Sequence, residues 1–528
     1  MAEKSGMKRA LISVSDKSGL VKLGQSLQDL GIEIISTGGT LKKLKEADVQ
    51  AIPVSGFTGS PEILGGRVKT LHPKIHGSIL YRRGDEKDEE QLAQIEGRAI
   101  DLIVVNLYPF EQTVAKEGAT AEEIIENIDI GGPSLIRASA KNFEFVTIVT
   151  DPNDYDELVE QLRENEGQTT PEFRRQCAAK AYALTARYDT AIADYFAEHT
   201  VEEAPEGDGV FPPRLNLCFK RQASLRYGEN PHQKAAVYEQ EGFGSGPSLL
   251  RGEVLSGKEL SYNNYSDLDA ALDMLLDFEK PFACVLKHAN PCGAAQADSI
   301  AAAYKAAYDS DPLSAFGSII GLNREVDMEC AELLHETPFV ECVLAPEFSE
   351  DAFKLLKRKK NRRLLAVPGI ADGLPPGQMV YKPVRGGLLY QQADQEDVTK
   401  DDLKVVTKRE PTPEELKALM FAWKVVKHTK SNAIVLARGE ATVGIGMGQT
   451  SRVDSGFMAV KRAGDRAEGA VMASDAFYPM PDGVEVGTDA GVTAIIQPGG
   501  SKGDAEAIAA ADKAGAAMVF TGMRHFKH

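Results

Sequence analysis

Residues 9–14, Arg-Ala-Leu-Ile-Ser-Val, make a short apolar run followed at once by polar Ser15-Asp16-Lys17 and then by Leu20, Leu23, Leu27 and Leu30 at helical spacing. Residues 32–35 repeat the apolar run, residues 36–40 (Ser-Thr-Gly-Gly-Thr) repeat the small polar loop, and a second helical pattern follows. A buried strand, a polar turn and an amphipathic helix in strict alternation constrain the chain to an α/β fold with a mainly parallel sheet. Residues 101–107 and 145–150 supply two more buried strands, and a long helical stretch runs over 171–199.

Residues 200–213 are acidic, rich in Pro and Gly and without periodicity, as an exposed linker must be. The expected organisation is therefore a first domain over 1–199, a linker over 200–213 and a second region over 214–528. Strand candidates at 282–286, 317–322, 433–437 and 441–446 alternate there with alanine-rich helices, so the second region is also α/β, and a break near 368–376 divides it into two subdomains. The net charge of −18 argues against nonspecific nucleic-acid binding, which depends on Lys and Arg neutralising phosphates. A run of seven basic residues within 354–363 reads as a solvated surface segment on so acidic a chain. The six cysteines form no CxxC pair and sit mostly in apolar surroundings, so they read as reduced core thiols of a cytoplasmic protein. No apolar run approaches the roughly 20 residues that span a bilayer, and no membrane association is expected.

Two polar clusters carry the chemistry. In the first half, Ser15, Lys17 and the Ser36-Thr37-Gly38-Gly39-Thr40 loop follow neighbouring strands, where amides and hydroxyls converge on a phosphate beside a helix N-terminus. Arg67, Lys69 and Thr70 lie in a cation-rich segment bracketed by glycines; its histidines lack partners at metal-ligand spacing, so no metal is expected. In the second half, Arg226-Tyr227 sits in a Gly- and Pro-punctuated turn and Lys287-His288 ends an apolar strand. A cation beside an imidazole favours its neutral, base-competent form. The run His288-Ala289-Asn290-Pro291-Cys292 departs from a zinc deaminase, which needs Glu at 290 and a second Cys at 295, where this chain has Asn and Ala; zinc is not expected. The Gly444-x-Gly446-x-Gly448 run lacks dinucleotide-motif spacing.

The segments 13–17, 36–40, 67–77, 106–110 and 126–134, taken with Arg226-Tyr227, Lys287-His288, residues 430–433, 444–452, 474–477 and 521–526, resemble the bifunctional AICAR transformylase/IMP cyclohydrolase family, most closely its bacterial members. The resemblance implies a methylglyoxal-synthase-like α/β domain followed by two cytidine-deaminase-like α/β subdomains, in a cytoplasmic homodimer. It implies formyl transfer from 10-formyltetrahydrofolate to AICAR, then closure of formyl-AICAR to IMP with loss of water. Carried onto this sequence, Lys69, Tyr108, Asp129 and Lys141 serve ring closure, with Ser15, Lys17, residues 36–40, Arg67 and Thr70 holding the nucleotide. Lys287, His288 and Asn432 serve formyl transfer; Arg226, Tyr227, Asn263, Arg452 and Arg524 contact substrate, and Phe477 and Asp482 lie near the folate. The family also implies a monovalent cation near the second site. Two other readings, a nonenzymatic sensor of a phosphorylated metabolite and a nucleotide deaminase, are weakened by the two complete polar clusters and the missing zinc ligands.

Overall fold

The computed structural model describes residues 6–199, 211–241, 244 and 246–528; residues 200–210 of the expected linker lie outside them. The chain packs as two compact units, Met1–Cys218 and Phe219–His528.

The first unit is built on five parallel strands, β1 (Arg9–Ser13), β2 (Glu33–Ser36), β3 (Ala51–Pro53), β4 (Leu102–Val105) and β5 (Thr147–Val149), in the order β3-β2-β1-β4-β5. β1 pairs β2 on one side and β4 on the other, so chain progression reverses between β1 and β4, and open α/β sheets bind ligands outside the carboxyl ends at that point. Every residue of β4 is buried, as a central parallel strand covered on both faces requires. The helix Leu20–Asp29 turns Leu20, Leu23 and Leu27 into this core. Helix Pro171–His199 sends Phe173, Cys177 and Ala181 into the same core, while Tyr188 and Tyr195 pack on Phe110. The second helix starts earlier than the small polar loop suggested, at Gly38 (Gly38–Glu46), so Gly38, Gly39 and Thr40 form its first turn.

The second unit carries one twelve-stranded sheet made of two halves with the same element order. The first half comprises β8 (Glu253–Ser256), β9 (Phe282–Lys287), β10 (Asn290–Gln296), β11 (Ser318–Leu322), β12 (Val340–Ala345) and β13 (Arg363–Ala366); two antiparallel ribbons, β6 (Phe219–Leu225) with β7 (Ala235–Gln240) and β14 (Met379–Val384) with β15 (Gly387–Gln392), lie outside the sheet. The second half comprises β16 (Lys404–Val405), β17 (Ile434–Arg438), β18 (Ala441–Gly446), β19 (Val471–Ser474), β20 (Ala494–Gln497) and β21 (Ala517–Phe520). In both, a short edge strand and a helix precede a hairpin (β9-β10, β17-β18), after which helices alternate with three parallel strands. The halves join through antiparallel β10 and β18, with Ala295 opposite Ala441. Glycines let a helix lie close on each central strand: a Cβ at Gly293 would collide with Ala307 O and one at Gly446 with Ser455 O. Gly444 and Gly446 thus serve helix–strand packing. The helix Pro413–Lys427, opened by a Thr412/Glu415 capping box, buries Trp423 completely.

Two surface expectations are corrected. Arg362 and Arg363, at the end of the basic run, are buried: Arg362 Nη2 donates to Leu334 O at 2.8 Å, Lys359 Nζ to His335 O at 2.6 Å, and Arg363 pairs with Glu341 at 3.3 Å. Arg362 and Lys359 answer the free carbonyls and negative dipole end of the helix Met328–Glu336. Of the cysteines, Cys218 is exposed while the other five are buried.

Candidate active sites

A cavity of about 670 Å³ opens at the carboxyl ends of β1, β2 and β4. It is lined by Ser15, Lys17, Thr37, Gly38, Gly39, Thr40, Arg67, Lys69, Thr70, Tyr108 and Asp129, which sequence reasoning had drawn from segments up to 114 residues apart. The amide end of helix Gly38–Glu46 faces it, and two lysines crowd that end: Lys69 Nζ lies 3.5 Å from where a Cβ would stand on Gly38, and Lys17 Cε 3.6 Å from one on Gly39. Free N–H groups, the positive dipole end and two ammonium groups together make an anion site. At the mouth Arg67 pairs with Glu126, and Lys69 lies 3.7 Å from Glu62. Such exposed pairs contribute about 0–1 kcal/mol, so a phosphate can displace the carboxylates.

Asp129 stands at the start of a second helix, Gly131–Lys141, and its Oδ1 accepts the Gly132 N–H at 2.7 Å. Burial raises its pKa above the ordinary 3.8, opposed by the N–H groups of Gly132, Tyr108 and Gly131. Tyr188 fixes it from behind: its hydroxyl accepts the Asp129 N–H at 2.8 Å and donates to Asn127 O at 2.9 Å. Asn106 Oδ1 accepts the N–H groups of Ser15 (2.6 Å) and Asp16 (2.9 Å) and so shapes the first anion loop. Two expected members lie elsewhere. Ser36 is fully buried with its hydroxyl donating to Ile12 O at 2.8 Å, tying β2 to β1. Lys141 is exposed at the far end of the helix whose start lines the cavity, about 15 Å along the axis from Gly131.

In the second unit Lys287 ends β9, with Nζ donating to Phe316 O at 2.8 Å, and exposed His288 forms the hairpin turn with Ala289. Asp267 Oδ1 accepts the Ala289 N–H at 2.7 Å, and Asn263, one helical turn earlier on Tyr262–Leu275, donates to Glu229 O at 3.3 Å. One helix face thereby holds both the Lys287-His288 turn and the turn after Arg226-Tyr227. Asn290 Oδ1 accepts the Lys430 N–H at 3.2 Å, which brings the approach to Asn432 alongside.

Arg452 differs from expectation: it is buried, not open to substrate, and its guanidinium donates to Asp475, to Ser474 Oγ at 2.8 Å and to Asn432 Oδ1 at 2.8 Å. Asp475, fully buried, also accepts from Ser431 Oγ, and its carbonyl accepts the His525 N–H at 3.0 Å. This anchors Phe477 and the C-terminal segment carrying exposed Arg524, whose guanidinium lies 4.7 Å from the Phe526 ring. Asp482 is exposed and accepts its neighbour Gly483 N–H at 2.7 Å. Phe316, unnoticed in the sequence, exposes a ring 5.4 Å from Phe339 beside Lys287. Of the other supporting residues, Asn106 and Asp475 lay inside recognised motifs, whereas Tyr188 and Asp267 carried no local signal. Among the described residues no group of three His, Cys, Asp or Glu side chains gathers to hold a metal, and no helix is long and apolar enough to cross a membrane.

Residues 139–462 match the family model of the AICARFT/IMPCHase bienzyme, and residues 19–134 that of the MGS-like domain. The chain is 51% identical over 521 residues to the bifunctional purine biosynthesis protein PurH of Thermoanaerobacter sp., covering 99% of this chain and 100% of that protein. It is 50% identical over 522 residues to PurH of Acetivibrio thermocellus, with the same coverage, and 51% identical over 533 residues to PurH of Magnetococcus marinus, covering 99% of each.

Proposed function

This chain belongs to the AICARFT/IMPCHase bienzyme family and is a bifunctional enzyme of purine biosynthesis with AICAR transformylase and IMP cyclohydrolase activities, and from that premise we propose how its two sites divide the work. The cavity of the first unit closes the ring. The observation that carries this assignment is the convergence of Lys17, Lys69 and a helix N-terminus on one side of the cavity with half-buried Asp129 on the other. In cyclisation the carboxamide nitrogen of formyl-AICAR attacks its own formyl carbon, and the adduct loses water. The substrate brings both reacting groups, so the protein's contribution is to fold it into an attacking shape and to manage charge. The phosphate sits against Lys17, Arg67 and the Thr37–Thr40 turn. Lys69 faces the developing oxyanion, while Asp129 takes the carboxamide proton beside Tyr108.

The second unit transfers the formyl group. Its activity uses a folate cosubstrate, and 10-formyltetrahydrofolate is the donor in this proposal. The conjugated 5-amino group of AICAR is a weak nucleophile, so His288 removes its proton as Lys287 and Asn432 stabilise the tetrahedral oxyanion. Arg226, Tyr227, Asn263 and Arg524 bind AICAR, and the exposed rings of Phe316 and Phe477 give planar surfaces for the folate, with Asp482 nearby. The monovalent cation of the family belongs to this second site in the proposal. Residues 1–199 thus form the cyclohydrolase domain, 200–213 the linker and 214–528 the transformylase region, divided near 368–376. The ribbons β6-β7 and β14-β15, joined by Phe219 against Tyr381 at 6.0 Å and exposing Tyr238, Val380 and Leu389, supply the apolar surface of a cytoplasmic homodimer.

The test is incubation of the purified protein with AICAR and 10-formyltetrahydrofolate, with formyl-AICAR, IMP and tetrahydrofolate followed chromatographically. IMP formed in step with tetrahydrofolate supports both assignments; formyl-AICAR accumulating without IMP removes the first.

A further inference from the structure

We propose that Asp267 is a positioning residue for formyl transfer, its carboxylate holding the β9-β10 turn in the left-handed conformation that presents His288 to the substrate. The inference rests on the assignment of His288 as the proton acceptor.

The turn joining β9 to β10 consists of His288 and Ala289, at φ 54° and 55°. Two successive left-handed residues are the geometry of a type I′ hairpin, where Asn-Gly and Asp-Gly are favoured because a side chain strains that conformation. The matching hairpin in the second half, β17-β18, has one left-handed residue in its turn and a glycine occupies it, Gly439 at φ 58°. The β9-β10 turn contains no glycine, and Ala289 has no polar group to bond its own backbone. Something outside the hairpin must therefore fix it.

Asp267 reaches it from helix Tyr262–Leu275 and accepts the Ala289 N–H at 2.7 Å, the shortest of the bonds securing the turn. Asn290 Nδ2 adds a bond to His288 O at 3.0 Å, and Lys287 Nζ is held by Phe316 O at 2.8 Å. Asp267 is half-buried, so the strained turn and a desolvated carboxylate are maintained together at the hairpin that bears the exposed His288 imidazole. The same helix places Asn263 against the turn following Arg226-Tyr227, so Asp267 also sets His288 relative to the residues that hold AICAR.

Steady-state kinetics of both activities on full-length variants test this. Asp267→Ala is expected to lower kcat for formyl transfer about tenfold or more, with KM for AICAR and the cyclisation of supplied formyl-AICAR within about twofold of wild type. Adding Ala289→Gly, which removes the left-handed strain, is expected to restore most of the lost kcat. Asp267→Asn keeps an acceptor oxygen and is expected to stay close to wild type, which preserves a readout where the alanine variant does not fold. The proposal is overturned when Asp267→Ala keeps wild-type kcat, when the glycine brings no recovery, or when Asp267→Asn is as impaired as a folded Asp267→Ala. His288→Ala run in parallel separates the premise: retained formyl transfer there removes the His288 assignment itself, whereas loss there with retention in Asp267→Ala removes only this inference.

Discussion

Arg452 Nη2 donates to Asn432 Oδ1 at 2.8 Å while Asn432 Nδ2 donates to the Gln449 carbonyl at 2.9 Å, so both ends of the Asn432 amide are committed. The amide cannot flip without breaking both bonds, and its orientation towards a substrate is set before one binds. The buried Asp475 carboxylate in turn holds Arg452. Arg452 therefore acts through Asn432.

From this arrangement, Arg452→Lys keeps a charge near Asp475 but loses the planar fork, and formyl transfer is expected to fall roughly 10- to 100-fold with cyclisation intact. Arg452→Ala leaves Asp475 buried and unpaired, at a cost of about 3–5 kcal/mol. Thermal unfolding alongside the two assays separates these effects.

Tyr188 carries Asp129 on its hydroxyl, and burial pushes that phenol up to about 12, so it stays neutral and able to donate to Asn127 O. Tyr188→Phe leaves the Asp129 N–H without its acceptor, costing about 1–3 kcal/mol locally. The expected outcome is slower cyclisation with unchanged formyl transfer, measured with formyl-AICAR supplied directly.

Asp129 gives the cyclohydrolase a pH signature. Burial raises its pKa above 3.8, so the carboxylate that accepts a proton is lost on acidification at a higher pH than an ordinary aspartate, and the acid limb of the rate profile lies above that value. The stability effect has the opposite sense: with the folded pKa raised, the contribution of Asp129 is present below the unfolded pKa and lost as pH rises through the folded one. Asp129→Asn should abolish cyclisation at every pH and remove that part of the pH dependence of unfolding.

Thiol chemistry checks the packing independently. Burial pushes Cys177, Cys292, Cys330 and Cys342 up to about 12 and Cys284 higher, whereas Cys218 is exposed. A thiol reagent should modify Cys218 in the native protein and all six cysteines after denaturation.

Much of the first unit was legible in the sequence because fully buried parallel strands appear as uninterrupted apolar runs. The Gly38-Gly39 pair has poor helix propensity and read as loop, yet tertiary packing starts the helix there. The duplication in the second unit was legible only through the family resemblance, which implies two like subdomains, because its halves share an order of elements rather than residues. Motif residues such as Lys69, Asp129, Lys287 and His288 announce themselves by type and neighbourhood. Their supports come from remote chain positions: Tyr188 lies 59 residues from Asp129, and Asn106 lies 91 from Ser15. Direction was equally hidden, as Ser36 turns into the sheet and Lys141 falls three helical turns from the cavity. Lys354, Lys357, Arg358 and Lys360 of the basic run are exposed as expected; its end misled because the helix-end carbonyls that Lys359 and Arg362 satisfy leave no local trace.

The most direct measurement compares Lys69→Ala and His288→Ala for products from AICAR plus 10-formyltetrahydrofolate and, separately, from supplied formyl-AICAR. Two separate sites predict that Lys69→Ala accumulates formyl-AICAR without IMP, and that His288→Ala makes no formyl-AICAR yet converts the supplied compound to IMP. A folded variant of either kind that loses both activities contradicts the account.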